Sequence, residues 1–277
     1  SYWLTERIPL SMVSEELQLA VAAAKRAGAI LRRGFTAAYQ TQVKRDRSLV
    51  TEFDRRAEEA VRELLADSPY SILGEEQGLH DLRTDRIWVI DPLDGTTNFV
   101  RRMPLFVVSI GLLESGKPIL GVVYDPLHDE CFYAETGVGA FKNGKRLLLD
   151  EAFPKQPLLF LECGVGARDK QLMAEQTRRL VVDYQVRLLG ATALELCRLV
   201  DGSADAYISS GDHLWDFAAG LCLATEAGGA VCDWRGRPWH AGHSFLLVGK
   251  KKVVEELSRR IGDLQPDDDQ LDAAESV

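Results

Sequence analysis

The sequence predicts a mixed α/β protein of two lobes sharing a cleft, the larger built on a mainly antiparallel sheet and the smaller an α/β unit. Three features carry that prediction. Two amphipathic helical patterns open the chain, short apolar runs punctuated by turn residues follow from Tyr70, and beyond Pro157 strand and helix patterns alternate. At 277 residues the chain also reaches the length, ~250–300 residues, at which a single core stops growing. The lobes are expected at residues 1–150 and 151–264, with an acidic tail at 265–277 that has little to pack.

After a short irregular arm, Ser14 is placed to cap a helix reaching about Phe35, with Leu17, Val21, Ala24 and Leu31 on one stripe. Gly28 falls on the same stripe, where it lets a neighbour approach. A basic, polar stretch covers residues 44–48. Thr51 and Asp54 then have capping-box spacing, and Phe53, Ala57, Ala60, Val61, Leu64 and Leu65 continue a helix to about Asp67. Strands are predicted at residues 71–73, 87–90, 106–113, 119–124 and 131–134, with Glu114-Ser115-Gly116-Lys117 a hairpin turn. Short turns between successive strands predict antiparallel pairing.

Composition narrows the function. A net charge of -9 argues against a nucleic-acid footprint, which needs clustered Lys and Arg. The five cysteines, Cys131, Cys163, Cys197, Cys222 and Cys232, show no CxxC spacing, a pattern expected of reduced thiols in the cytoplasm. No apolar run of membrane-spanning length occurs, so no membrane partner is expected.

The chemistry concentrates in Trp88-Val89-Ile90-Asp91-Pro92-Leu93-Asp94-Gly95-Thr96-Thr97-Asn98-Phe99, where an apolar strand runs into two carboxylates separated by a proline. Pro92 restricts Asp91 and fixes its own φ, so the strand is expected to end there and the backbone to turn. Asp91, Asp94 and a backbone carbonyl between them can then converge on one point. Burying paired carboxylates is costly unless a cation sits between them, and a hard divalent ion such as Mg²⁺ takes oxygen ligands. Gly95, Thr96 and Thr97 supply N–H groups and hydroxyls at an expected helix start, a seat for phosphate. The same residues also make an ordinary polar turn. Further acids end other elements: Glu75 and Glu76 after Ile72-Leu73-Gly74, Asp216 before a small-residue helix, and Asp54. Asp216 and Asp54 read equally well as plain caps.

Taken together and in this order, Gly74-Glu75-Glu76, the Asp91 to Phe99 run and Trp215-Asp216-Phe217-Ala218-Ala219-Gly220 resemble the inositol monophosphatase family. The likeness runs from about Glu15 to about Gly249 and includes residues 137–144 and 226–229. It implies a layered αβαβα sandwich, a homodimer, and lithium-sensitive, Mg²⁺-dependent hydrolysis of a small phosphate monoester, inositol monophosphate first. By position, Glu75, Asp91 and the Leu93 carbonyl would hold one Mg²⁺, and Asp91, Asp94 and Asp216 a second. Glu75 would also touch a loosely held third through water. Gly95 and Thr96 would bind phosphate, Asp54 and Thr96 would orient the attacking water, and Glu76 would stand at the rim. Catalytic roles thus fall on Asp54, Glu75 and Thr96, and substrate contacts on Asp94, Gly95, Thr96, Thr97, Thr192, Ser209 and Asp216.

One departure bears on the substrate. Inositol-preferring members carry a glutamate seven residues before the second-lobe aspartate, where this chain has Ser209, too short and uncharged to bind a vicinal diol the same way. Histidinol phosphate, fructose 1,6-bisphosphate, adenosine 3′,5′-bisphosphate and NADP are the alternatives within the family's reach, and Thr97-Asn98-Phe99 favours inositol or histidinol phosphate over nucleotides. The Lys44 stretch resembles a mobile lysine-bearing loop that approaches a metal. His213 is expected to be structural, and His240 with His243 lacks a third ligand for zinc. Outside catalysis, the same fold could serve as a regulatory binding protein or a metal-binding structural module.

Overall fold

The computed structural model describes residues 13–38, 40–43, 49–80, 85–241, 243 and 245–266. The expected N-terminal arm, the Lys44 stretch and the tail from residue 267 lie outside the described residues. Helix α1 (Glu15–Thr36) is capped by Ser14, whose hydroxyl accepts from Leu17 N at 3.1 Å. The antiparallel pair β1 (Thr41–Val43) and β2 (Leu49–Thr51) leads into α2 (Glu52–Leu65). There follow β3 (Ser71–Gly74), β4 (Gly78–His80), β5 (Arg86–Asp94) and the short α3 (Thr96–Val100). A meander comes next: β6 (Val107–Glu114), β7 (Lys117–Asp125), β8 (Glu130–Glu135), β9 (Gly139–Lys142) and β10 (Lys145–Leu147). The remainder alternates, with β11 (Leu158–Cys163), α4 (Ala167–Leu180), β12 (Gln185–Arg187), α5 (Thr192–Val200), β13 (Ala206–Ser210) and α6 (Leu214–Glu226). It closes with β14 (Ala230–Cys232), β15 (Phe245–Gly249) and α7 (Lys251–Ile261).

Eight strands form one sheet in the order β10-β9-β8-β7-β6-β5-β3-β4, antiparallel throughout except where β3 runs parallel to β5. Five form the other, β12-β11-β13-β15-β14, in which β11 is parallel to both its neighbours. The predicted turn joins β6 to β7, and Ser115 (φ 50°) and Gly116 (φ 76°) are both left-handed, as a tight two-residue hairpin requires.

Alternation along the strands sorts the helices into layers. Trp88, Ile90, Val108, Ile110, Leu112, Leu120 and Val122 face α1 and α2, where they pack on Leu17, Ala24, Leu31, Ala57 and Val61. Val107, Val123, Phe132 and Ala134 point the other way, into α5 and α6. Phe160, Tyr207, Leu246 and Val248 of the smaller sheet meet the same two helices from the far side. Their neighbours Leu159, Leu161, Ile208 and Leu247 pack on α7 residues Val253, Val254, Leu257 and Ile261. The result is the αβαβα sandwich, with α5 and α6 as the middle layer. A sheet covered on both faces needs strands that are apolar throughout, which is why β5 to β8 read as unbroken runs.

Two expectations need correction. Strand β5 does not stop at Pro92; pairing with β6 resumes at Asp94, and the register between Asp91↔Ser109 and Asp94↔Val107 slips by one residue. Pro92 lies beyond the last β3 partner, Ile90, so its missing N–H interrupts no ladder there and the strand answers with a bulge. Gln265, assigned to the tail, is buried, and its Nε2 donates to Asp233 Oδ2 at 3.1 Å.

Helix α6 lies almost on the backbone of the larger sheet. A Cβ at Gly121 would stand 2.8 Å from Ala219 Cα, inside contact distance of helix backbone that cannot swing away. Gly121→Ala is therefore expected to cost about 1–3 kcal/mol, read as a lower urea midpoint at unchanged slope. Asn98 ties the segment after α3 to the segment before α5: its Nδ2 donates to Leu105 O at 2.9 Å and to Leu189 O at 2.7 Å. Asn98→Ala leaves those carbonyls unpaired and should cost about 1–3 kcal/mol, again by urea unfolding.

Candidate active site

Each acid singled out in the sequence is delivered by the end of an element. Alternation on β5 turns Asp91, like Val89, towards the middle layer, and the bulge carries Asp94 round behind it. Asp91 Oδ1 accepts from Leu93 N at 2.9 Å, which fixes the bulge from within. Glu75 follows β3, and its N donates to Ile90 O of β5 at 3.2 Å, bringing the two strand ends together. The turn after it is tethered by Glu58 of α2, which accepts from Glu76 N at 2.8 Å and from Arg62 Nε at 2.8 Å.

Asp54 performs two tasks. Its Oδ2 accepts from Thr51 N at 2.8 Å and the Thr51 hydroxyl at 2.5 Å, the predicted capping box. Its Oδ1 lies 3.0 Å from the Thr96 hydroxyl, which is also 3.0 Å from Leu93 O. With a single proton, that hydroxyl serves one acceptor at a time or divides itself between them, and its lone pairs stay available. Gly95 occupies the N-cap of α3 with φ 89°, and a Cβ there would lie 2.6 Å from Leu105 O, so both conformation and space require glycine.

Middle-layer helices start at the same place. Leu194 N, in the first turn of α5, donates to Asp94 Oδ2 at 3.2 Å. Helix α6 begins at Leu214, three residues earlier than the placing of Asp216 ahead of it would have it. Asp216 thus occupies its first turn and accepts from His213 N at 2.7 Å. The charge on both acids faces the positive end of a helix.

Burial dominates the electrostatics. Burial first, then the negative charge of Glu75, Asp94 and Asp216, raises Asp91 well above the ordinary carboxylate range. Asp216 rises in the same way, through burial and then Asp212 and Asp94. Asp94 is pushed up to about 8 by burial despite the hydrogen bonds from Leu194 and Ala193. Asp54 is raised by burial as well, against the opposing hydrogen bonds from Thr51 and Thr96.

These elements enclose a cleft of about 510 Å³ lined by Glu75, Asp94, Gly95, Thr96, Thr97, Thr192 and Asp216 among others. Asp54 and Leu93 are joined to its lining residue Thr96, and Asp91 to Leu93, by hydrogen bonds, and all three are buried. Ser209 is fully buried on β13 and touches Asp212, so it faces the cleft only through that residue. Glu76 does not line the cleft. His213 does, stacked on Trp215 with ring centroids 4.6 Å apart. His240 and His243 lie outside it, 3.6 Å apart between ring centroids.

Three acids escaped the sequence reading. Asp212 lines the cleft, and its Oδ2 accepts from Ser209, Tyr207 (2.6 Å) and Thr192 (3.2 Å). Glu162 also lines it, accepting from Gly190 N at 2.6 Å, and is raised to about 7 by burial. Glu195, buried on α5, accepts from Leu189 N at 2.6 Å and is raised well above its usual range by burial and then by Glu162. The signal that found Glu75 and Asp91 was present for two of them. Glu162 and Asp212 stand at the C-terminal ends of the parallel neighbours β11 and β13, the edge where open α/β sheets bind ligands.

Among the described residues no three of His, Cys, Asp or Glu stand close enough to share one metal ion as placed. The donor set nevertheless suits a hard cation. Glu75, Asp91, Asp94 and Asp216 are all oxygen donors, the charges of Glu75 and Asp94 raise the proton affinity of both Asp91 and Asp216, and no Lys or Arg lines the cleft among the described residues.

Comparison with known proteins agrees with this arrangement. The profile of the Inositol monophosphatase family matches residues 12–264. Inositol monophosphatase 2 of Solanum lycopersicum is 39% identical over 253 residues, covering 86% of this chain and 92% of the relative. Nus factor SuhB of Pasteurella multocida is 38% identical over 261 residues, covering 88% and 95%. The solved inositol monophosphatase from Anabaena superposes with a TM-score of 0.80 at 32% identity, covering 91% of this chain and 96% of that one. The chain belongs to the inositol monophosphatase family and is a phosphoric monoester hydrolase of that type.

Proposed function

We propose that the chain hydrolyses a small phosphate monoester with Mg²⁺, inositol monophosphate being the first candidate, with two ions per site and a third held loosely. The observation that carries this reading is the set of buried carboxylates with no Lys or Arg on the cleft wall among the described residues. Glu75, Asp91 and the Leu93 carbonyl would hold one ion, and Asp91, Asp94 and Asp216 the other. Bound there, Mg²⁺ supplies charge neutralisation for the phosphoryl oxygens and lowers the pKa of a water. Phosphoryl transfer leaves the protein mainly positioning and electrostatic work.

The residues of the chain divide that work. Gly95 and Thr96 would receive the phosphate on their N–H groups, with Thr97 beside them. The Thr96 hydroxyl, 3.0 Å from Asp54, can donate to that carboxylate and accept from the attacking water, fixing the direction of its lone pair. Asp54, whose proton affinity burial has raised, is suited to take the proton. Lithium sensitivity, a homodimer and a cytoplasmic setting complete the reading on the family likeness. Histidinol phosphate, fructose 1,6-bisphosphate, adenosine 3′,5′-bisphosphate and NADP are the alternative substrates. A second, regulatory reading is favoured by one observation, that the Pasteurella multocida relative is named a Nus factor.

Release of inorganic phosphate from inositol 1-phosphate, with MgCl₂ and with EDTA, tests the reading directly; equal rates in the two would end it. Asp91→Asn should reduce Mg²⁺-dependent turnover at least about a hundredfold, since it removes the ligand common to both ions, while circular dichroism stays that of the wild type. Turnover above a tenth of wild type at saturating Mg²⁺ would remove Asp91 from the assignment.

Proton competition sets the pH dependence. Asp94, raised from 3.8 to about 8, takes up a proton on folding between those values, so its contribution without cation declines as pH rises through that window. A cation must displace the same proton below about 8. The rise in Tm produced by 5 mM Mg²⁺ (roughly a saturating dose by mass action) should therefore be larger at pH 8.5 than at pH 6. Scanning fluorimetry showing equal or reversed shifts would contradict it.

A further inference from the structure

Asp212 is, with Glu162, a cleft acid that the proposed chemistry leaves without a task. It stands in the turn between β13 and α6, three residues past Ser209 and four before Asp216. Among the described residues, all of its side-chain hydrogen bonds arrive at one oxygen: the hydroxyls of Ser209, Tyr207 and Thr192 surround Oδ2. They come from the strand and from α5, so the carboxylate is held from two elements and its plane is fixed. Oδ1 accepts from no described residue, on a side chain that lines the cleft.

A carboxylate on the wall of a ligand cavity, with three hydroxyls on one oxygen and no described partner on the other, is a preformed acceptor. Leaving the second oxygen unpaired against a substrate that offers no donor costs that substrate affinity, which is how buried polar groups discriminate. Position 209 is where the family likeness leads one to expect an acid in inositol-preferring members. Here Ser209 instead donates to Asp212, so the residue at that position aims a carboxylate supplied by the following turn.

We propose that Asp212 is the specificity-determining residue of the cleft, with its Oδ1 accepting a hydrogen bond from a hydroxyl or ammonium group on the leaving alcohol while Ser209, Tyr207 and Thr192 hold Oδ2. This rests on the phosphatase reading above. The substrate class is a monophosphate whose alcohol carries a second donor near the ester, as a polyol or an amino alcohol does. Ser209 and Tyr207 act on that group through Asp212 and are positioning residues.

The test compares kcat/KM with MgCl₂ for inositol 1-phosphate, which offers hydroxyls, histidinol phosphate, which offers an ammonium, and p-nitrophenyl phosphate, whose leaving group offers no donor. In Asp212→Asn the ratio of inositol 1-phosphate or histidinol phosphate to p-nitrophenyl phosphate should fall roughly ten- to a hundredfold, the range for a hydrogen bond to a charged group. Whichever ratio falls identifies the donor. Tyr207→Phe, which keeps the carboxylate and removes one of its holders, should lower the same ratio by about three- to tenfold. It decides the matter if Asp212→Asn fails to fold. Ratios within about twofold of wild type in the folded variants overturn the role of Asp212 and leave the phosphatase reading intact. Absence of Mg²⁺-dependent wild-type turnover of all three phosphates sinks both.

Discussion

Carboxylates buried where the two sheets meet the middle helices, with no Lys or Arg on the cleft wall among the described residues, form the constraint on which the rest of the structure turns. Away from the cleft and Glu195 beside it, buried acids among the described residues have basic partners. Glu58 is paired with Arg62 at 2.8 Å, Asp233 with Arg237 at 2.7 Å, and Asp205 with Lys250 at 3.0 Å. Asp233 responds in the ordinary way, held below the usual carboxylate range against the opposing effect of burial. In the cleft the fold withholds those partners, and Asp91, Asp94 and Asp216 are raised instead. A protein that can pair its buried acids and does not do so here is holding places for charge from outside.

Much of this was legible in the sequence, and what was not has a physical explanation. Ser14 and Thr51 announced their helices because a cap is a local interaction, settled within a single turn. Strands β5 to β8 were visible because burial on both faces leaves no polar alternation to obscure them. The bulge at Pro92 was not visible, since proline forbids one hydrogen bond but does not say on which side the strand has a neighbour. Asp91 and Glu75 stood out because each closes an apolar run that continues into Gly or Pro. Glu162 closes such a run too, but its importance depends on β13 lying beside β11, a pairing between strands more than forty residues apart. Glu195 is hidden more thoroughly, because an acid in the first turn of a helix needs no explanation beyond the helix dipole.

The layers also separate the two halves of the proposed reaction. Asp54, Glu75, Asp91, Asp94 and Thr96 belong to α2, the ends of β3 and β5, and α3, all attached to the larger sheet. Glu162, Thr192, Tyr207, Ser209 and Asp212 belong to the smaller sheet and the helix packed on it. Asn98 joins the halves from the first side, through Leu189 O, and α6 joins them from the second, carrying Asp216 to the carboxylates of β5.

Such a division makes specificity separable from reactivity. The groups around Asp212 form a closed set of hydroxyls that neither touch the Thr96–Asp54 pair nor share an atom with it. A change at position 209 is therefore absorbed locally, by redirecting one hydrogen bond within the smaller sheet's edge, and no carboxylate of the larger sheet has to move. The acids of the larger sheet have no such freedom. Asp91 and Asp94 share one bulge, Asp94 is hydrogen-bonded to the start of α5, and the charge of Asp94 raises Asp91's affinity for a proton, so exchanging either changes the charge balance of the site. Tight coupling on one side of the cleft and loose coupling on the other is the arrangement that lets a fixed phosphoryl chemistry be fitted to a different alcohol.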